Sequence, residues 1–246
     1  MHFYLFDSFL TDPKYKKILE EIENRILDLD IGGRILHLTV LRDFETSLNA
    51  GLQDKYTTLV IVGDDRTLTK AINILAGQKK PLGIIPVGEN LEICRTLGIP
   101  EGLEAIDLIA NRLIEKIDLG IANKHYFISS VKGEKADFSI TCDDQYDIEL
   151  STEQKFCICN LTCLEQQISN PHDGLLETII YSQKKNFFGK IKTKLDSYFQ
   201  NAKLIIKSRG ESAPVIVDNG EVLKTPVNLE VLSGGLSLIV GRERRF

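Results

Sequence analysis

The chain has 246 residues, of which 43% are hydrophobic and 26% charged, with a net charge of −5. That balance excludes a disordered or fibrous protein, and without a net positive field a nucleic-acid partner is disfavoured. The opening Met1-His2-Phe3-Tyr4-Leu5-Phe6 runs into Asp7 without a basic segment and is too short for a signal peptide or a membrane span, so a cytoplasmic location is the expectation.

In chain order, residues 1 to about 113 alternate short apolar runs with helical periods, the pattern of βα units around a parallel sheet. Phe3 to Phe6 reads as a first strand. Thr11-Asp12-Pro13 supplies a capping residue and a first-turn proline, after which Tyr15, Ile18, Leu19, Ile22, Ile26 and Leu29 recur at helical spacing until Gly32-Gly33. Ile35 to Leu41 is a second strand, residues 44 to 52 a short helix, and Thr57 to Val62 a β-branched third strand ending at Gly63. The next helix carries Leu68, Ala71, Ile72 and Leu75 on one face and stops at Gly77; Leu82 to Pro86 is a further buried strand, and Gly88 opens the turn beyond it.

After Ile114 the texture becomes β-rich, with runs at 117–122, 125–131, 136–141, 146–150 and 156–163, then 203–208, 214–218, 227–232 and 236–240. One helix is expected between them, with Phe187, Phe188, Ile191, Leu195 and Tyr198 as its apolar face, and Asn219-Gly220 has the form of a hairpin tip. The expected architecture is a three-layer α/β domain over residues 1–115 followed by a β-sandwich-like, β-rich domain over residues 116–246 with that inserted helix. Ligands commonly bind in a cleft between two such domains.

Cys94, Cys142, Cys157, Cys159 and Cys163 are an odd set, for which reduced thiols are the expectation. The cluster at 157–163 falls short of the four ligands of structural zinc, and the four histidines lack ligand spacing. Small buried thiols on one face of a strand account for it.

Two turns of the α/β half place glycine directly after a buried strand: Gly63-Asp64-Asp65-Arg66-Thr67-Leu68 and Pro86-Val87-Gly88-Glu89-Asn90. Free backbone N–H groups and a helix start at such positions can hold an anion. Strand-to-helix turns also use glycine and aspartate for conformation alone. Neither turn has the Gly-Lys-Ser/Thr ending of a Walker loop.

The stretch Leu59 to Pro100 resembles the catalytic domain of the diacylglycerol kinase and sphingosine kinase family. That family reads Gly-Gly-Asp-Gly-Thr-Leu-Asn where this chain has Gly63 to Thr69. The resemblance continues through Pro81-Leu82-Gly83-Ile84-Ile85-Pro86-Val87-Gly88-Glu89 and Arg95-Thr96-Leu97-Gly98-Ile99-Pro100. Further likeness lies at Asp118-Leu119-Gly120, Asp173-Gly174-Leu175-Leu176, Val217 to Glu221 and Pro226 to Val240. The resemblance implies an ATP- and Mg2+-dependent lipid kinase. Nucleotide contacts would come from Gly63, Asp64, Asp65, Arg66, Thr67, Gly88 and Glu89, a magnesium ligand from Asp173 with backbone help from Leu175, and the general base from Glu221. Its implied partners are a nucleotide and a lipid or small hydroxyl substrate, and a β-sheet edge in the second half offers a surface for homodimer formation.

The departures from the family pattern concentrate on phosphate chemistry. Asp64 and Arg66 replace glycines, Glu89 replaces a threonine that would donate a hydrogen bond, and Asp218-Asn219-Gly220-Glu221 carries one residue more than the family hairpin. Lys132-Gly133-Glu134 stands where the family continues into lipid-cavity helices. Three readings follow: an active kinase of this type, an impaired kinase turned ligand- or partner-binding protein, and, third, a NAD kinase-like enzyme.

Overall fold

The computed structural model describes residues 1–53, 55–161, 169–185, 191–218 and 220–246. The chain forms two compact units, Met1–Ile117 with Gly234–Arg245, and Asp118–Ser233 with Phe246. A single boundary after residue 115 therefore needs a correction, because residues 234–245 return to the first unit.

The first unit runs β1 (His2–Phe6), α1 (Lys16–Asp28), β2 (Gly33–His37), α2 (Phe44–Ala50), β3 (Thr58–Gly63), α3 (Asp65–Leu75), β4 (Leu82–Pro86), α4 (Glu92–Thr96) and α5 (Glu104–Asn111). The strands pair in parallel in the order β2-β1-β3-β4. Every residue of β3 and β4 is buried, which is why both read as continuous apolar runs with no alternation. Helices cover both faces. A Cβ on Gly51, at the end of α2, would strike Leu59 and Phe3, which share one face; a Cβ on Gly83, opposite Val60 on the other face, would strike Ile109 of α5. The Tyr4 hydroxyl donates to Ile31 O beyond α1 at 2.7 Å, on that second face. This is the three-layer arrangement. The chain leaves α1 through Asp30 in a left-handed conformation (φ 53°), before the Gly32-Gly33 pair expected to end the helix.

The second unit begins within β5 (Ile114–Ala122) and continues through β6 (His125–Phe127), β7 (Ser130–Gly133), β8 (Phe138–Cys142), β9 (Tyr146–Glu149) and β10 (Gln154–Cys159). It then runs through β11 (Leu176–Lys185), β12 (Ile191–Asn201), β13 (Lys203–Ser208), β14 (Pro214–Val217), β15 (Glu221–Lys224) and β16 (Val227–Ile239). One antiparallel sheet has the order β12-β11-β10-β7-β14-β15. A second joins the start of β16 to β13, β8 and β9. Between them lies one apolar core, where Val131, Ile158, Ile180 and Val215 of the first sheet meet Ile140, Leu204, Ile206 and Leu229 of the second. Phe138 and Phe156 pack edge to face across it at 5.0 Å. The far end of β16 leaves this unit and pairs Leu238 in parallel with Leu82 of β4, which is how residues 234–245 rejoin the first.

The helix expected over residues 187–198 is corrected: residues 191–201 form β12, paired antiparallel with β11 along its whole length, while Phe187 and Phe188 lie outside the described residues. The two runs at 227–232 and 236–240 are one strand, β16, with Gly234 at φ 59° within it. The cysteine expectation is corrected in one respect. Cys94, Cys142 and Cys157 are buried free thiols, whereas Cys159 is in a disulfide whose partner lies outside the described residues. Cys157 and Cys159 do share a strand face, with their sulfurs 3.4 Å apart. Among the described residues, no helix is long and apolar enough to cross a membrane.

Candidate functional site

The two glycine turns of the first unit converge. Val87 N–H donates to Gly63 O at 2.9 Å, and Asp65 N–H donates to Asn90 O at 2.9 Å, so the ends of β3 and β4 are tied by backbone before any side chain acts. Glycine is required at both turns. A Cβ on Gly63 would stand 2.3 Å from Thr67 Oγ1, and Gly88 holds φ 137°, with an added Cβ 3.1 Å from Asp64 Cβ.

Each acidic residue of the first turn has a distinct task. Asp64 is the N-cap of α3: its Oδ1 accepts N–H bonds from Arg66 at 3.0 Å and Thr67 at 3.1 Å. Asp65 is buried and caps α4 from a distance, accepting from Ile93 N at 2.8 Å and Cys94 N at 3.1 Å. Burial raises the Asp65 pKa, with these N–H bonds pulling the other way. Thr67 is fully buried and donates its hydroxyl to Asp7 Oδ2 at 2.7 Å. Asp7, itself buried, also accepts from Ser8 Oγ at 3.1 Å and lies 4.0 Å from Lys70 Nζ.

Asp64, Arg66 and Glu89 remain at the surface of a pocket of about 380 Å3, which Lys14 and Lys70 also line. Glu89 is 83% exposed and its carboxylate is 3.7 Å from Lys14 Nζ. Arg66 is exposed and has no ion-pair partner among the described residues. The pocket is therefore ringed by three cations, Lys14, Arg66 and Lys70, with Asp7, Asp64 and Glu89 among them. A second pocket of about 380 Å3 shares Asp7 with it and has Leu10, Leu19, His37 and Leu38 in its wall. His37 packs on the Phe6 ring at 4.4 Å, with its Nε2 3.0 Å from Glu23 Oε1. Asp7, Lys14, Lys70 and His37 were not singled out from the sequence; Lys70 follows Thr67 by one helical turn, but His37, Lys14 and Asp7 precede it by 30, 53 and 60 residues, and no local spacing links those three to the turn.

The remaining candidates lie in the second unit. Asp173 is exposed and closes a small turn, its Oδ1 accepting from Leu175 N at 3.0 Å. Gly174, at φ 74°, donates its N–H to the buried Asp118 at 2.8 Å. Nearby in sequence, Glu177 is 2% exposed; its Oε1 accepts from Asn170 N at 3.2 Å, and its Oε2 has no partner among the described residues. Burial raises the Glu177 pKa, and the charge of Asp173 adds to the shift. No group of three or more His, Cys, Asp or Glu among the described residues is arranged to hold a metal ion. A single exposed carboxylate such as Asp173 suits a magnesium ion that keeps most of its waters, not a closed protein cage.

Glu221 opens β15, half exposed, with Oε1 3.0 Å from His125 Nδ1. The buried acid of that hairpin is instead Asp218, at φ 47°, which accepts N–H bonds from Ile128, Ser129 and Ser130 at 2.9, 2.8 and 3.0 Å. Asp218 is thus a structural carboxylate and Glu221 an accessible one; Asn219, expected at the hairpin tip, lies outside the described residues.

Residues 12–122 match the family model of the diacylglycerol kinase catalytic domain. The diacylglycerol kinase of Staphylococcus carnosus (strain TM300) is 36% identical over 85 residues, 33% of this chain and 28% of that protein. The diacylglycerol kinase of Bacillus subtilis (strain 168) is 35% identical over 83 residues, 32% of this chain and 27% of that protein. The aligned stretch thus spans under a third of these curated relatives. The fold is shared more widely: a crystal structure of a diacylglycerol kinase from Bacillus anthracis str. Sterne superposes with a TM-score of 0.77 at 22% identity, covering 98% of this chain and 97% of that one. The stretch that matches the diacylglycerol kinase catalytic-domain model, residues 12–122, holds both glycine turns and the Lys14, Arg66 and Lys70 side chains of the pocket beside them.

Proposed function

We propose that this chain is an ATP-dependent kinase of the diacylglycerol kinase type, transferring phosphate to a lipid or small-molecule hydroxyl. The observation that carries the reading is the convergence of the Gly63 and Gly88 turns on one pocket ringed by Lys14, Arg66 and Lys70. Three cations around a recess beside the two glycine turns suit a polyphosphate despite the carboxylates of Asp7, Asp64 and Glu89 among them, and Arg66 can grip phosphate oxygens in pairs. The adjoining pocket, with leucines in its wall and His37 at its edge, suits a nucleobase. Asp65 and Thr67 serve this site from behind, by holding its two turns in register.

Asp173, with the Leu175 carbonyl, is the proposed magnesium contact; a bound divalent ion would neutralise charge on the phosphates. Glu221 is the proposed base for the acceptor hydroxyl, with His125 orienting its carboxylate.

The test is calorimetric titration with Mg-ATP, followed by transfer of labelled phosphate to diacylglycerol in mixed micelles. The reading requires Mg-ATP binding by the parent and loss of transfer, with binding kept, in Glu221→Gln. A folded protein that shows no binding and no thermal stabilisation at millimolar Mg-ATP would overturn it.

A second reading, a catalytically silent binding protein on the same scaffold, draws on one observation: the Asp64 carboxylate already accepts the two N–H groups that open α3. On that reading the pocket rejects Mg-ATP, and Asp64→Gly does not restore it.

A further inference from the structure

The first unit has a larger concavity, about 850 Å3, apart from the pocket at the glycine turns. Four arginines line it, Arg95, Arg112, Arg242 and Arg245, against two carboxylates, Glu104 and Glu243. In a chain of net charge −5 this is a local excess of positive charge. Part of its wall is apolar and accessible: Leu108, half-buried, and Leu113, exposed, both line it.

Backbone bonds, and not chance side-chain positions, set the arginines in place. The segment after β16 is laid along the turn after α4, with Gly241 N–H donating to Leu97 O at 3.0 Å and Arg245 N–H donating to Thr96 O at 2.9 Å. Gly98, at φ 67°, permits this approach, since a Cβ there would stand 2.6 Å from Arg244 N. Arg244 anchors the same segment by pairing with Glu115 at 2.8 Å. On the opposite side, Arg112 closes α5 in a left-handed conformation (φ 55°), and its Nη2 donates to Thr57 O at 3.2 Å. Arg95 is braced by Glu101 at 2.8 Å. Neither Arg112 nor Arg242 has an ion-pair partner among the described residues.

Arginines on a backbone held in place need less reordering on engaging a ligand than arginines on a loose loop, and their planar forks match phosphate oxygens. An apolar wall beside them favours a ligand with a hydrocarbon stem. We propose that this pocket is a binding site for a phosphate-bearing amphiphile, with Arg112 and Arg242 on the phosphate and Leu108 and Leu113 against the stem. The same chemistry is offered by an anionic lipid headgroup at a bilayer surface and by a small soluble phosphomonoester. The inference stands on residues separate from the proposed nucleotide pocket and does not rest on that reading.

The experiment compares the parent chain, Arg112→Gln/Arg242→Gln and, as a control at the other pocket, Lys70→Gln. One arm titrates glycerol 3-phosphate calorimetrically; the other measures co-sedimentation with vesicles of equimolar phosphatidylcholine and phosphatidic acid, at low and at high salt. Binding by the parent that weakens about tenfold or more in the double variant, but not in Lys70→Gln, supports the site. Binding in the vesicle arm alone assigns the ligand to a lipid surface, and binding in the soluble arm alone assigns it to a free phosphomonoester. Melting temperatures of the variants equal to that of the parent verify the fold; if the double variant melts earlier, Arg242→Gln alone is read in its place. The proposal is overturned if the parent binds neither probe, or if the arginine variants bind as the parent does.

Discussion

Replacing Asp64 by glycine separates the two tasks of its carboxylate, because the change should lower stability slightly and raise phosphate affinity. Asp64 accepts from Arg66 N and Thr67 N at 3.0 and 3.1 Å, as an N-cap does. Exchange of a capping aspartate for glycine costs a few tenths of a kcal/mol, and the freedom added to the unfolded chain brings the loss to about 1 kcal/mol at most. For a chain of this size that is a fall in melting temperature of roughly 2–4 °C or less.

The effect on binding has the opposite sign. A phosphate oxygen reaching those two amides must displace the tethered carboxylate, and both are anions. At about 4 Å, two unit charges repel by about 1 kcal/mol in water and about 4 kcal/mol at an effective dielectric constant of 20. Asp64 is neither buried nor fully exposed, so about 1–2 kcal/mol is the appropriate range, or roughly five- to thirtyfold tighter binding of Mg-ATP. Calorimetric titration of the parent, Asp64→Gly and Asp64→Asn measures it. Asparagine removes the charge but still caps the helix, so it should fall between the other two. The reasoning is refuted if Asp64→Gly keeps its fold and binds Mg-ATP no more tightly than the parent.

Asp65→Ala should destabilise the first unit by about 2–5 kcal/mol, because two buried N–H groups, of Ile93 and Cys94, lose their acceptor; hydrogen exchange at those two amides and urea unfolding report it, and an unchanged midpoint would show that Asp65 is not a strap. In the second unit, Asp218→Ala should cost about 2–5 kcal/mol through the same kind of loss at Ile128, Ser129 and Ser130, whereas Glu221→Ala, which breaks only an exposed pair with His125, should cost about 1 kcal/mol or less. Equal effects in thermal unfolding would contradict the division of labour in that hairpin. Glu177 yields a pH prediction: its folded pKa lies above its ordinary value of 4.5, from burial first and the charge of Asp173 besides. Its contribution to stability is therefore fully present below pH 4.5 and is lost as pH rises through the folded value. Relative to Glu177→Gln the parent should become steadily less stable over that rise, and a difference that stays flat with pH would refute it.

Much of the first unit was legible because its signals are local. An unbroken apolar run such as Thr58–Val62 has few options other than a strand buried on both faces, and a glycine where Thr67 packs against the backbone leaves its mark at one position. The expected helix over residues 187–198 shows where local signals mislead. Leu195 lies opposite Tyr181 and Tyr198 opposite Ile179, and a register shift between Ile180 and Tyr181 inserts one additional residue on β12. That bulge puts residues three apart on one face, the spacing of a helix produced by a strand. Leu195 and Tyr198 are 50% and 43% exposed, so they form no packed helical face.

By itself, then, the sequence determined the βα-unit order, the two glycine turns and the shift to β-structure after Ile114. It could not determine what each carboxylate does. Asp64 and Asp65 are adjacent and chemically alike, yet one caps its own helix at the pocket rim while the other is buried under a second helix 28 residues away; Asp218 and Glu221 divide in the same way. Burial and the direction of N–H groups from distant segments make that choice, and only the folded chain brings those segments together.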